Sequence, residues 1–263
     1  MIKPMCGTSP NNEQSRQAVP LLPGERLDDL QCGGYRLIQR GDAFRFGTDS
    51  VLLADFAAPR AHTRAVDLGC GTGAVAMLMA AHQPLAQIDA VEIQSDVADM
   101  ARRSVLLNGL QTRLRVFAAD MRAAHDLLGY GGYDLAVCNP PYGREGATLL
   151  SQNEGVRLAR HECGLTPAGV AESAARLLKN GGRLCVVFPA PRALEMMRAM
   201  EDARLAPKRI RTVHGMSGRA PKFVLIDAVK GGGSGLHWLP PLVLREADGS
   251  FSAEWRRIYR CPS

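Results

Sequence analysis

The stretch AVDLGCGTGAV, residues 65–75, decides the fold that the sequence predicts. Its apolar first part, residues 65–68, has the character of a buried strand, and three glycines follow at alternate positions. An alanine-rich segment over residues 74–81 then predicts a helix. Glycine allows the backbone to pass close to a ligand, and it leaves the N-terminus of the following helix open toward that ligand. The stretch therefore predicts a ligand-binding turn between a strand and a helix.

Short apolar runs alternate with helical segments downstream of this turn. Such alternation is typical of an α/β fold, here a Rossmann-like, doubly wound, seven-stranded and mostly parallel sheet with helices on both faces. The link between the last two strands is too short for a parallel crossover, so we expect the last strand to be antiparallel. The later strands are predicted at 87–92, 113–117, 134–138, 183–188, 207–214 and 222–229, with helices at 96–108, 168–178 and 191–203 and a turn at 180–182.

Composition divides the chain into four segments. The first is polar and proline-rich, and the last begins with a glycine-rich run at residues 231–235. The predicted segments are a flexible tail over 1–24, a short N-terminal hairpin and helix over 25–60, the main α/β domain over 61–230 and a C-terminal extension over 231–263.

The N-terminal segment carries a second prediction. Residues 35–39 alternate in polarity and suit a hairpin strand paired with 43–46. Thr48 or Asp49 then offers a capping oxygen to the apolar helix that follows. Alternatively, this helix lies over the ligand site and Asp49 reaches the ligand. Both roles stay open for Asp49.

Charge and cysteine usage bound the class of protein. The 263 residues carry a net charge of +6, which is compatible with an anionic partner such as RNA. No apolar run is long enough to span a membrane, and the N-terminus lacks the apolar core of a secretory signal. The seven cysteines are scattered and form no C-x-x-C pair, so we expect free thiols in a cytoplasmic protein, without a zinc or other metal site.

Acidic residues around the glycine turn indicate which ligand it binds. The turn also fits a dinucleotide fingerprint, with Glu92 at the end of the next strand to accept ribose hydroxyls. Asp67, directly ahead of the glycines, would repel a pyrophosphate but suits the cationic amino acid end of S-adenosylmethionine. The expected contacts to this cofactor come from Thr48, Asp49, Asp67, Gly69, Gly71, Gly73, Glu92, Ile93, Asp120, Met121 and Asn139.

Asp120 has two interpretations of equal weight. It follows the third strand of the sheet, where it can accept a hydrogen bond from an adenine amine while Met121 forms an apolar wall. Alternatively, it caps the helix predicted over 121–128.

Asn139-Pro140-Pro141-Tyr142 follows the fourth strand and is the candidate catalytic stretch. Each proline fixes its own φ and restricts the residue before it, so the tetrapeptide is stiff. The Asn139 side-chain oxygen and the Pro140 carbonyl can accept both hydrogens of an exocyclic amine, and Tyr142 can stack on a base. These acceptors would stabilise the positive charge that grows on the nitrogen as it accepts a methyl group.

These motifs together resemble the class I S-adenosylmethionine-dependent amino-methyltransferases. The segments FGTDSVLL (46–53) and ARHE (159–162) resemble, more narrowly, the bacterial tRNA adenine-N6 methyltransferase family, whose members act on adenosine 37 of valine tRNA. The resemblance covers residues from about 25 to 260 and makes 61–230 the methyltransferase domain. It implies transfer of a methyl group to the N6 amine of an RNA adenine, most simply in a tRNA anticodon loop.

Two other substrates use the same tetrapeptide in related enzymes: a protein glutamine amide and a base of ribosomal RNA. A nucleotide-binding module without catalysis is a further alternative, and the intact tetrapeptide argues against it. The short N-terminal hairpin and the many arginines favour RNA, and we expect a monomer. The predicted phosphate contacts come from Arg144, Arg157, Arg160 and Arg211.

Overall fold

The computed structural model describes residues 17–40, 46–140 and 166–259. Eleven strands and seven α-helices lie in these ranges. The strands are β1 (Glu25–Asp29), β2 (Arg36–Arg40), β3 (Arg64–Leu68), β4 (Gln87–Glu92), β5 (Leu114–Ala118), β6 (Tyr133–Cys138), β7 (Leu178–Pro189), β8 (Leu205–His214), β9 (Pro221–Lys230), β10 (His237–Trp238) and β11 (Leu242–Val243). The helices are α1 (Thr48–Ala57), α2 (Ala74–His82), α3 (Ser95–Leu107), α4 (Ala124–Leu128), α5 (Pro167–Leu177), α6 (Ala193–Asp202) and α7 (Ala253–Tyr259).

The central sheet runs in the order β10-β8-β9-β7-β6-β3-β4-β5, and β11 also pairs with β8. The pairs from β5 to β7 are parallel, whereas β9 is antiparallel to both β7 and β8. The predicted doubly wound sheet with an antiparallel last strand is confirmed. It is wider than the predicted seven strands, because β10 and β11 of the C-terminal extension add a broken edge strand to β8.

Two apolar cores cover the two faces of the sheet. One joins α1, α2 and α7 to the sheet through side chains such as Leu52, Met77 and Trp255. The other joins α4, α5 and α6 to the opposite face, around Tyr133 and Met200. Each strand of the parallel centre is therefore buried on both sides, which explains why β3 and β6 read as continuous apolar runs.

The N-terminal hairpin pairs differently from the expectation. Strand β2 is antiparallel to β1, over Arg36–Arg40 and Glu25–Asp29. The predicted partner, 43–46, lies mostly outside the described residues. Backbone amides of β2 donate to Asn108 Oδ1 (2.9 Å) and Ser104 Oγ (2.9 Å) of the α3 region, so the hairpin docks against that helix.

The C-terminal extension is tied to the sheet by Arg211. Its Nη2 donates to both carboxylate oxygens of Glu254 at 2.8 Å, and its Nε donates to the Pro240 carbonyl at 2.9 Å. Helix α7 also packs against α1. A boundary at residue 230 therefore separates no independent unit, since 237–259 complete the edge of the main sheet.

Some local predictions need correction. The turn expected at 180–182 lies inside β7, which begins at Leu178, with Gly181 at φ +78°. Cys32 is disulfide-bonded, whereas Cys70, Cys138 and Cys185 are free thiols. A disulfide depends on proximity in space, which scattered spacing does not reveal.

The described residues include no helix long and apolar enough to cross a membrane. Within the same ranges, no cluster of three or more His, Cys, Asp or Glu side chains is arranged to hold a metal ion.

Candidate active site

The glycine turn lies at the carboxyl end of β3, between β4 and β6. Gly69 N and Cys70 N donate to the Val91 carbonyl at 2.8 and 3.0 Å, which fixes the turn against the end of β4. Gly71 has φ +56°, and a Cβ built on it would meet no atom within 4 Å. A left-handed backbone beside open space is a position where a ligand can approach the main chain closely.

Glu92, at the end of β4, connects this turn to the neighbouring strand. Its side chain is 6% exposed, and Oε2 accepts from Gly71 N at 3.0 Å. Oε1 accepts from Gln94 N at 2.9 Å. These bonds hold the carboxylate beside the open space at Gly71, where each oxygen retains a lone pair for a ribose hydroxyl.

Asp67 lies behind the turn, 1% exposed. Its Oδ2 accepts from Ala76 N at 3.2 Å, in the first turn of α2, where Gly73 provides no side-chain cap. Burial raises the pKa of Asp67 to about 7; the bond from Ala76 opposes this shift and the charge of Glu92 adds to it. Asp67 therefore stabilises the start of α2. A cation bound nearby would favour the charged form of its carboxyl group.

Asn139 directly follows β6, next to the glycine turn. The register places Asp67 beside Val137, so the ends of β3 and β6 are adjacent. Asn139 Nδ2 donates to Ser50 Oγ of α1 at 3.2 Å. Asn139 Oδ1 is buried and has no hydrogen-bond partner within the described part of the chain. A buried acceptor without a partner is costly, and a substrate amine would satisfy it.

The rest of the tetrapeptide is only partly described. Pro140 is buried behind Asn139. Pro141 and Tyr142 lie outside the described residues, as do Arg144, Arg157 and Arg160. Their predicted contacts stay predictions.

The capping prediction for α1 is wrong. Its N-cap is Gly47, and no side chain caps the helix, so neither Thr48 nor Asp49 has that role. Asp49 Oδ1 instead accepts from the adjacent Ser50 N at 3.0 Å and lies 2.9 Å from a Cβ built on Gly47. Asp49 thus folds back over the glycine, and its contact with a ligand remains a prediction.

For Asp120 the structure supports the capping role. It is the N-cap of the single 3-10 turn that leads into α4, accepting from Arg122 N at 2.8 Å, and the Arg122 guanidinium contacts both of its oxygens. Partial burial alone would raise its pKa, but the hydrogen bonds from Arg122 outweigh this and lower the pKa of Asp120 below its usual range. An adenine amine would share a carboxylate that is already paired.

The two apolar residues of the predicted site differ. Ile93, next to Glu92, is 38% exposed and offers a surface for a flat ring at the carboxyl edge. Met121 is 5% exposed and belongs to the core beneath α4 and α5. Met121 therefore packs in this core, and its contact with an adenine stays a prediction.

Arg211 is held by Glu254 and Pro240, as described above, and its side chain is 15% exposed. This geometry gives it a structural contact at the sheet edge, and its phosphate contact stays a prediction. The sequence did not reveal the ion pair, because Glu254 is 43 residues away.

The two thiols near the site, Cys70 and Cys138, are held in the protonated form. Burial, with the charges of Asp67 and Glu92 beside it, raises the pKa of Cys138 well above its usual range. The same causes raise the pKa of Cys70. A protonated thiol is a poor nucleophile.

Two residues of the site were missed by sequence reasoning. Ser50 was counted only as part of a helix, although it contacts Asn139. Gln39 is fully buried, with Nε2 donating to Asp28 Oδ2 (2.8 Å) and Oε1 accepting from Phe46 N (3.1 Å) and Thr72 Oγ1 (3.2 Å). It thereby connects the hairpin to the glycine turn. In the sequence Gln39 reads as an ordinary polar position of a strand of mixed polarity, so no local signal marked it.

These residues fit S-adenosylmethionine: open space at Gly71, two buried carboxylates for ribose and ammonium groups, and an exposed apolar side chain at Ile93. With an unsatisfied amide oxygen across the switch point, the fold and site define a methyltransferase of the class that uses this cofactor. The chain belongs to the methyltransferase small domain family, whose model matches residues 43–209.

Relatives and solved structures agree with this assignment. A protein of Tolumonas auensis named tRNA1(Val) (adenine(37)-N6)-methyltransferase is 32% identical over 225 residues, covering 84% of this chain and 90% of its own. A protein of the same name from Porphyromonas gingivalis is 28% identical over 242 residues, covering 85% and 90%.

Among solved structures, a predicted O-methyltransferase from Agrobacterium tumefaciens has a TM-score of 0.67 at 24% identity, covering 82% of this chain and 98% of its own. A 16S rRNA N2 G1207 methyltransferase from T. thermophilus, in complex with AdoMet and guanosine, has a TM-score of 0.57 at 21% identity, covering 82% and 53%. At these identities the two structures support the fold.

Proposed function

We propose that this protein transfers a methyl group from S-adenosylmethionine to the N6 amine of an adenine in tRNA, at adenosine 37 of valine tRNA. The observation that carries the proposal is the buried Asn139 Oδ1, which has no partner among the described residues and lies at the strand end beside the glycine turn. The names of the relatives support the choice of tRNA.

The residues of the tetrapeptide have different roles in this reaction. Asn139 Oδ1 and the Pro140 carbonyl accept the two N6 hydrogens and orient the nitrogen lone pair, while Tyr142 stacks on the adenine. The cofactor, when bound, supplies an electrophilic methyl group. The N6 nitrogen forms a bond to that methyl carbon as the carbon–sulfur bond breaks, and N6 then loses a proton to solvent.

The acceptors stabilise the transition state because positive charge grows on N6 during the transfer. The remaining proposed cofactor contacts follow from the site. Glu92 binds the ribose, Asp67 faces the ammonium group and Ile93 contacts the adenine face. Thr48 and Asp49 contact the cofactor from the start of α1. Ser50 would keep Nδ2 of Asn139 occupied so that Oδ1 faces the substrate. We place the enzyme in the cytoplasm as a monomer, with Arg144, Arg157 and Arg160 as phosphate contacts.

The test is methyl transfer from tritiated S-adenosylmethionine to total tRNA and, in parallel, to total protein from cells lacking the gene. Valine tRNA is isolated from the labelled RNA before nucleoside analysis. We expect label in N6-methyladenosine of valine tRNA. Label found only in protein glutamine, with none in RNA, would contradict the proposal.

A further inference from the structure

The β8–β9 turn and the C-terminal hairpin form one surface at the carboxyl edge of the sheet, on the β8 side of Asn139. The β8–β9 turn, residues 215–220, lies between the end of β8 and the start of β9, and therefore at the same edge as Asn139. Only β7 separates β9 from β6 in the sheet. The register places Cys138, at the end of β6, level with Ile226, which is five residues from the start of β9. At the usual strand spacing and rise per residue the turn therefore lies roughly 20–25 Å from the end of β6, a distance that a few nucleotides of single-stranded RNA span.

The C-terminal hairpin, residues 244–252, is bound to this turn. Ser217 N donates to the Arg245 carbonyl at 3.1 Å, and Leu244 N donates to the His214 carbonyl at 2.9 Å. Arg245 and Phe251 form an antiparallel bridge within the hairpin. His214 Nδ1 contacts the Arg219 carbonyl at 2.6 Å and so fixes the turn from inside. These contacts hold the turn and the hairpin together, so the surface is pre-formed.

The cations on this surface, Arg219 in the turn and Lys222 in β9, differ from the basic residues Lys208 and Arg209 of β8. Arg209 is paired with Asp227, and Lys208 donates to the carbonyls of Gly233 and Ser234. Arg219 and Lys222 are exposed and form no salt bridge with any residue in the described ranges. The aliphatic part of the Lys222 side chain lies 3.8 Å from a Cβ built on Gly215, so the ammonium group of Lys222 lies near the turn.

The hairpin adds a stacking group. Phe251 is 44% exposed, and the Arg245 guanidinium lies 4.0 Å from its ring centroid. Arg245 Nη1 also donates to the Gly249 carbonyl at 2.7 Å, which holds the guanidinium over the ring. A guanidinium plane held in this way offers its outer face to an unstacked base. Two acidic residues, Glu246 and Asp248, share the hairpin, and hydrogen bonding to Ser250, whose N donates to Asp248 at 2.9 Å, lowers the pKa of Asp248.

From this arrangement we infer an RNA-docking surface made of Arg219, Lys222, Arg245 and Phe251. It binds the strand beside the target adenosine, with Arg219 and Lys222 on phosphates and the Arg245–Phe251 pair against a base. The inference rests on the proposed function and adds the residues that hold the RNA. RNA is favoured over an acidic protein because cations, a stacking plane and the amine acceptor share one edge.

The test compares Arg219→Gln/Lys222→Gln with a control pair, Arg60→Gln/Arg204→Gln. The control arginines are exposed and precede β3 and β8, so they lie at the opposite edge of the sheet. Binding of valine tRNA is measured by fluorescence anisotropy at several salt concentrations with S-adenosylhomocysteine present. We expect the docking variant to bind at least about ten-fold more weakly, with a salt slope lower by about 1.4 for two single-strand phosphates.

The cofactor affinity of this variant and its rate at saturating tRNA should match the wild type. Phe251→Leu, which keeps an apolar side chain and removes the ring, should weaken binding about ten-fold with an unchanged salt slope. Equal binding and equal slopes in the docking and control variants would overturn the inference while wild-type methylation of tRNA stands. A wild type that methylates protein and no RNA would overturn the proposed function and the inference together.

Discussion

Asn139 and Ser50, 89 residues apart in sequence, are joined by a hydrogen bond of 3.2 Å from Nδ2 to Oγ. Ser50 is 3% exposed in α1, and Asn139 directly follows the central strand β6. Because the amide nitrogen is occupied, the amide oxygen of Asn139 is the atom left for a substrate amine. Helix α1 therefore sets the orientation of the group that we propose accepts N6.

Replacement of Ser50 by alanine should impair turnover more than binding. Loss of one hydrogen bond to the amide costs about 1 kcal/mol, or roughly five-fold in kcat, through misorientation of Asn139. We expect the KM for tRNA and the affinity for S-adenosylmethionine to stay near wild type, and Ser50→Thr to restore turnover.

The matched control for Ser50 is Ser173→Ala. Ser173 is 1% exposed in α5, and its Oγ has no partner in the described part of the chain. A rate loss shared by both alanine variants would assign the effect of Ser50 to packing alone.

Asn139 is the residue whose loss should be most severe. Asn139→Ala removes the side-chain acceptor at the point where charge grows on N6, and single electrostatic groups of this kind contribute roughly 100- to 1,000-fold to rate. We expect kcat to fall by that factor while calorimetry shows that the cofactor still binds. Turnover within ten-fold of wild type would contradict the proposed role.

The raised pKa of Asp67 predicts how stability depends on pH. Its pKa moves from 3.8 in the unfolded chain to about 7 in the fold. Between these values the folded protein holds a proton that the unfolded chain has lost. The free energy of unfolding of the cofactor-free protein should therefore fall as pH rises from about 4 to 7, by at most roughly 4 kcal/mol from this group. Urea titrations of wild type and Asp67→Asn across this window measure the difference.

In Asp67→Asn this component of the pH dependence should be absent. If the cofactor ammonium favours the charged carboxyl, wild-type affinity for S-adenosylmethionine should rise up to ten-fold per pH unit below 7 and level off above it. An equal pH dependence in wild type and variant would exclude Asp67 as the source.

Arg211 and Glu254 should contribute to stability and leave RNA binding unchanged. Their side chains are 15% and 38% exposed and join at 2.8 Å, so we expect Arg211→Gln to cost about 1 kcal/mol in unfolding free energy. Glu254→Gln should cost a similar amount, and the double variant should cost less than the sum. The salt slope for tRNA should stay at the wild-type value in Arg211→Gln, and a lower slope would restore its predicted phosphate contact.

Features set by neighbouring residues were predictable from the sequence, whereas contacts between residues distant in sequence were not. The glycine turn, Glu92 at a strand end and the antiparallel β9 were all predictable, because strand periodicity, glycine spacing and link length are local properties. Asp120 left two alternatives, and the Arg122 contact two residues away favours the cap. Only the three-dimensional structure showed the hairpin pairing, the partner of Arg211 and the cap of α1.

The sequence by itself determined the doubly wound sheet and the adjacency of Asp67, Glu92 and Asn139, since parallel strands bring their carboxyl ends to one edge. Only the tertiary structure decided which polar atoms remain available there. Ser50 occupies one end of the Asn139 amide, while Glu254 pairs with the guanidinium of Arg211. Long side chains choose among partners that lie tens of residues apart, and the choice depends on packing of whole elements that no local pattern encodes.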